Sequence, residues 1–154
     1  MCPPVVVRPM VAADVDAVLA VQRAAFAIEA LLYDDPSLPP LQESRDELLV
    51  DLDRSRGLVA LDGDVVVGSV RVRVDGDSLH IARLSVAPDQ QGRGLGARLL
   101  AQAEAVADGT EALLFTGHLS TSNLRLYGRA GYLEQRRVAV DDRVTLVYLR
   151  KALR

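Results

Sequence analysis

Cysteine is almost absent from this chain of 154 residues, with Cys2 the only one. No internal disulfide can form, and a cysteine-rich metal site is excluded. Lysine is as scarce: Lys151 stands alone among 18 basic residues. A phosphate loop of the Gly-Lys-Ser/Thr kind therefore has no lysine to use. Long apolar runs are missing, and none approaches the roughly 20 residues of a membrane span. The opening MCPPVVVRPM lacks the basic start and extended apolar stretch of a secretory signal. Positive charge is not in excess either. The formal net charge is −3, which disfavours nucleic acid and anionic membranes as partners. Repeats, low-complexity tracts and linkers are lacking too. These absences predict a soluble protein of a reducing cytoplasm, and the length fits one domain over residues 1–154. Arginine carries nearly all the positive charge, so any one arginine is weak evidence of a special role.

What is present is a sequence of period changes. Val5 to Arg8 reads as a first strand. Val15, Val18, Leu19, Ala25 and Phe26 then follow helical spacing, with Asp14 placed as an N-cap. YDDPSLPPLQ, residues 33–42, holds three prolines and reads as a loop. Leu41, Leu48, Leu49 and Leu52 give a second amphipathic helix. From Gly57 the period becomes two, and Asp62-Gly63 and Asp75-Gly76 are hairpin signals between strands. Val70, Val72 and Val74 alternate with Arg71 and Arg73, which predicts one buried and one wet face. In the next strand Leu79 and Ile81 are apolar at odd positions but Leu84 and Val86 at even ones. Such a slip predicts a β-bulge near Ala82 to Leu84. Leu95, Leu99, Leu100, Ala103, Val106 and Ala107 form a helical stripe, closed by Gly109. EALLFTG is a strand, TSNLRLYGRA a short helix, and LEQRRVAV and VTLVYLRKAL are two final strands. A strand, a helix and a strand in succession make the fourth and fifth strands parallel. The class is a mixed α/β sheet.

Between the fourth strand and its helix lies QGRGLG, residues 91–96. Glycine costs about 1 kcal/mol in a helix relative to alanine, so three at a helix start need a reason. They let main-chain N–H groups approach a ligand with no Cβ in the way, and the helix N-terminus adds unpaired donors and a positive dipole end. Together these predict a cradle for phosphate or pyrophosphate. GRGLGA also satisfies a relaxed dinucleotide fingerprint. That reading requires a carboxylate about 20 residues on, at the end of the second strand, where this chain has LLFTGH.

Gln91-Gly92-Arg93-Gly94-Leu95-Gly96 resembles the Gln/Arg-x-x-Gly-x-Gly/Ala signature of the GCN5-related N-acetyltransferase family. ARLSVAPD resembles that family's bulged fourth strand, and STSNLRLYGRAGY, residues 120–132, is similar to its Asn-x-x-x-Tyr-x-x-x-Gly-Tyr/Phe segment. The resemblance implies a mixed, mostly antiparallel sheet flanked by helices, its parallel fourth and fifth strands splayed apart. It implies acetyl-CoA as co-substrate, no metal, an amine as acceptor and a cytoplasmic enzyme, with a homodimer common in the family. By the same resemblance, main-chain amides from Gln91 through Gly92, Arg93, Gly94, Leu95 and Gly96 to Ala97 would hold the pyrophosphate. Leu84, Ser85 and Val86 would pair with the pantetheine arm as an added strand, and Asn123 would hydrogen-bond the cofactor. Tyr127 would be the acid toward the departing thiolate, and the Val86 amide the oxyanion donor.

The attacking amine has a pKa near 10, so it must lose a proton. The family's fourth-strand glutamate has no counterpart in Ser78 to Arg83, which leaves His118, just past the fifth strand, as a candidate base and His80 as a weaker one. Glu29, Tyr33, Asp34, Asp35 and Glu43 fall where the family lines its acceptor site. A non-catalytic acyl-CoA-binding module is the competing expectation.

Overall fold

The computed structural model describes residues 4–153; Cys2 lies outside them. Seven strands form one sheet in the order β1-β2-β3-β4-β5-β7-β6. They are β1 (Val5–Pro9), β2 (Arg56–Asp62), β3 (Val65–Asp75), β4 (Ser78–Val86), β5 (Glu111–Gly117), β6 (Leu133–Ala139) and β7 (Thr145–Ala152). The helices are α1 (Val15–Tyr33), α2 (Pro39–Gln42), α3 (Arg45–Leu52), α4 (Leu95–Glu104) and α5 (Thr121–Arg129). All strand pairs are antiparallel except β4–β5, as the strand–helix–strand order required.

Both Asp-Gly signals produce two-residue hairpins. The glycine comes first in each, Gly63 at φ 62° and Gly76 at φ 58°, a conformation that costs glycine little. The bulge falls where the parity slip placed it. Ser69 faces Ser85 but Arg71 faces Ala82, so Arg83 and Leu84 together oppose Val70. Arg83 absorbs the extra length at φ 56°.

Each face of the sheet has its own core. One holds Val70, Val72, Leu79 and Ile81 against Leu95, Leu99 and Leu100 of α4. The other packs Val59 and Leu61 under Val15, Val18 and Leu19 of α1 and Leu48 of α3. Four expectations need correction. Residues 33–42 are not all loop: α1 runs to Tyr33, and Pro39 and Pro40 open the one-turn helix α2, where proline's missing N–H is harmless. Asp14 sits at the cap position of α1 but gives its carboxylate to the Val11 amide at 2.8 Å and to Arg8. The helix α4 stops at Glu104, short of Gly109. Ala105 and Val106 bond back three residues, to Gln102 and Ala103, so Val106 and Ala107 still reach the core.

The largest departure is Arg71. The expected wet face of β3 is covered by α1 and α3, and Arg71 is only 3% exposed. Its guanidinium donates to Glu43 at 2.5 and 2.9 Å, to Asp51 at 2.9 Å and to Gln22 at 3.1 Å. Gln22 in turn donates to Glu43 at 2.9 Å. Burial pushes the Glu43 carboxyl up, but the hydrogen bonds from Arg71 and Gln22 outweigh it and hold it below its ordinary value. Strand alternation could not show this, because the partners come from 20 to 49 residues away.

Candidate active site

The site is a gap in the sheet. The β4–β5 ladder has three pairs, Ser78 with Glu111, Leu79 with Ala112 and His80 with Leu113. Beyond them β4 continues to Val86 and β5 to Gly117 with no pairing between them among the described residues. Backbone polar groups on that inner edge of β4 are free for an extended ligand. Direction follows from alternation. The Ala87 amide donates to Val67 on the β3 side at 2.9 Å, so the neighbouring Val86 N–H points to the gap.

A groove of about 710 Å³ runs from this edge to the start of α4. Leu84, Ser85, Val86, Gln91, Gly92 and Gly94 line it, as do Leu95, Gly96, Ala97 and Asn123. These are the residues expected for a cofactor, with one exception. Arg93 does not line the groove; its guanidinium pairs with Asp62 at 3.2 Å and hydrogen-bonds Gln90. The three glycines divide the work. Gly92 and Gly94 adopt φ 86° and 79°, with Gly94 the residue that precedes α4. Gly96 is needed for closeness: a Cβ there would stand 3.2 Å from Leu126 of α5. Gln91 donates weakly to the Val86 carbonyl at 3.4 Å. The turn, the free N–H groups of α4 and the open space over Gly92 and Gly94 are of the kind that suits a pyrophosphate.

At the far end of the groove, α1, β5 and α5 meet in a polar cluster. Glu29 is the groove's one carboxylate among the described residues. It accepts from the Ser120 hydroxyl and from Asn123 Nδ2 at 3.4 Å. Asn123 also donates to Thr116 at 3.3 Å, so its side chain faces β5 rather than capping its own helix. The Tyr33 hydroxyl shares a hydrogen with Ser120 at 2.8 Å and accepts from the Leu119 amide at 3.0 Å. A Cβ on Gly117 would overlap that hydroxyl. Ser120 was not singled out within its segment, and Glu29 was expected only as an acceptor-site residue; a 19-residue α1 brings them together.

Tyr127 is 6% exposed and packs edge-on against Tyr132 at 6.0 Å. It does not line the groove. Its hydroxyl has no hydrogen-bond partner among the described residues, yet it is not sealed, since Nε of Arg71 is the one buried, unpartnered side-chain atom. Burial, then the charge of Glu29, pushes the phenol well above its ordinary value. His118 is pinned: its Nδ1 accepts from the Thr145 amide at 3.0 Å, and its ring tilts against Tyr33 at 5.8 Å. A neutral ring so engaged carries its proton on Nε2. His80 stands lower, level with the last β4–β5 pair. Asp34 and Asp35 lie in the turn after α1, where Asp35 binds Ser37.

A model of the Acetyltransferase (GNAT) family matches residues 25–132. The chain belongs to this family. The fold is shared with the PaiA N-acetyltransferase of Thermoplasma acidophilum in complex with coenzyme A. There the identity is 16% and the TM-score 0.79, over 97% of this chain and 99% of that one. YncA of Salmonella typhimurium, a putative acetyltransferase solved with acetyl-CoA, is 17% identical at TM-score 0.75, over 98% and 95%. The ribosomal-protein-alanine N-acetyltransferase of Brucella melitensis is 21% identical at TM-score 0.76, over 96% and 99%. No curated protein matches. Among the described residues no helix is long and apolar enough to cross a membrane.

Proposed function

We propose that the chain is one catalytic domain that binds acetyl-CoA along the groove and transfers the acetyl group to an amine. The observation that carries this is the free edge of β4 between the last β4–β5 pair and the glycine turn. An extended arm can pair with Leu84 to Val86 there while its diphosphate rests on the amides of Gln91 to Ala97. Acetyl-CoA supplies an activated acyl group on sulfur; the chain supplies position, donors and a proton acceptor.

The Val86 N–H donates to the acyl oxygen as charge develops on it. Tyr127, kept protonated by burial and with its hydroxyl not sealed, donates to the departing sulfur from behind the wall that Asn123, Leu126 and Ala130 give the groove. Asn123 orients the arm at the mouth of the gap. Glu29 takes the proton from the amine, the role for which β4 offers no carboxylate from Ser78 to Arg83. His118, its Nδ1 already bonded to β7, positions the turn after β5.

Calorimetry with CoA and acetyl-CoA, followed by thiol release with a panel of amines, tests this. Binding in the micromolar range and turnover of at least one amine are expected. Tyr127→Phe should lower kcat by 10²–10⁴-fold, the usual range for one general acid, and leave the heat of CoA binding intact. A folded protein with no heat for either ligand overturns the reading. Tight binding with no turnover leaves an acyl-CoA-binding module instead.

A further inference from the structure

A second cavity, of about 380 Å³, opens on the face of the sheet that carries α3. We propose that it binds a carboxylate, and that the acceptor is therefore a small amine that also bears an anionic group. Its role as acceptor site rests on the transferase reading above; the anion site itself does not.

Position is the first argument. Ile81, Ala82, Leu114 and Phe115 line the cavity, and they follow directly on the last β4–β5 pair, His80 with Leu113. Leu84, two residues beyond Ala82, lines the groove. The two hollows occupy successive levels of one gap, so a molecule in the cavity has its other end beside the arm bound to β4.

Charge is the second. Arg71, Arg73, Arg136 and His80 line the cavity against a single carboxylate, Asp51. Asp51 is already committed, to Arg71 at 2.9 Å and to the Ser55 hydroxyl at 3.1 Å. Among the described residues neither Arg73 nor Arg136 has an ion-pair or hydrogen-bond partner. Nε of Arg71, the one buried side-chain polar atom left unpartnered among the described residues, belongs to a side chain of this same wall. Arg73 comes from β3 and Arg136 from β6, so the free cations stand on opposite sides.

Shape is the third. The floor is aromatic: Phe115 and Tyr148 meet at 5.5 Å between ring centroids. The Arg136 guanidinium lies 4.5 Å over the Tyr148 ring, which fixes its plane and leaves its N–H fork at the edge for a carboxylate. A cationic rim over apolar rings selects a compact anion with an apolar body, not a polyamine.

The test titrates benzoate and its neutral isostere benzamide into the protein, with and without CoA. Benzoate should bind at least tenfold more tightly than benzamide. Arg73→Gln and Arg136→Gln, both exposed changes, should each weaken benzoate at least threefold and leave CoA affinity unchanged. Benzoate no tighter than benzamide, or tighter but indifferent to both variants, overturns the anion site. If benzoate behaves as stated while CoA gives no heat, the transferase reading falls and the anion site stands. For the acceptor, L-amino acids are compared with their carboxamides. Acids should exceed amides at least tenfold in kcat/KM, with Arg73→Gln narrowing the margin; amides equal to or faster than acids overturn the substrate class.

Discussion

On one side of the β4–β5 gap the groove presents main chain: the amides of a glycine turn and the unpaired edge of a strand. On the other the cavity presents side chains, namely arginines held over tyrosine and phenylalanine. The first needs few particular side chains, because backbone N–H groups recognise a diphosphate whatever residue bears them. The second has no recognition without particular residues, gathered from α3 and five strands. A fold can thus keep one ligand and exchange the other, since the two are held by different parts of the chemistry.

That contrast can be broken most severely at the ion pair beneath the cavity. Glu43→Ala leaves the Arg71 guanidinium buried without its main partner. A loss toward the roughly 3–5 kcal/mol of a broken buried ion pair is expected, lessened by the Asp51 carboxylate that still reaches Arg71 at 2.9 Å, measured by urea denaturation. If Glu43→Ala costs less than about 1 kcal/mol, the network is not what seats the α3 side. The same pair gives a pH signature. A carboxyl held below its ordinary value stabilises the fold above that value and loses the contribution as the pH falls from there through its lowered one. Glu43 is such a group, so denaturation midpoints should fall as the pH drops below about 4.5, its ordinary value, and fall less steeply in Glu43→Gln.

The groove should answer to volume and backbone instead. Gly96→Val places methyl groups against Leu126 and Val86. It should weaken CoA at least tenfold, or about 1.4 kcal/mol, in calorimetry, with benzoate binding unchanged. Equal loss of both ligands would mean that the two hollows are not independent. The smallest effect sharpens the contrast most. Arg93 pairs with Asp62 and does not line the groove, so Arg93→Gln should change CoA affinity by less than about 0.5 kcal/mol, the range of an exposed ion pair. A tenfold loss would show that its guanidinium turns to the phosphates.

The uneven legibility of the chain follows the same division. Gly92 and Gly94 could be read because each answers a local demand for positive φ; the close packing that Gly96 permits is against Leu126, far along the chain, and only its place in the glycine run was legible. The bulge could be read because a one-residue slip reverses the parity of every later side chain in β4. Arg71 misled, since alternation reports which face a residue is on but not whether another helix covers that face. Glu29 and Ser120 were invisible as a pair, being 91 residues apart, and so were Phe115, Arg136 and Tyr148 as one surface.

The sequence by itself determined the strands, their turns, the bulge, the parallel pair and the glycine turn before α4, because these depend on φ, periodicity and spacing within a few residues. Only the tertiary structure decided which carboxylate faces the gap, where the buried arginine finds its partners and what charge the second cavity carries. Those properties arise from side chains far apart in the chain, and their energies depend on burial and on distances that no local pattern encodes.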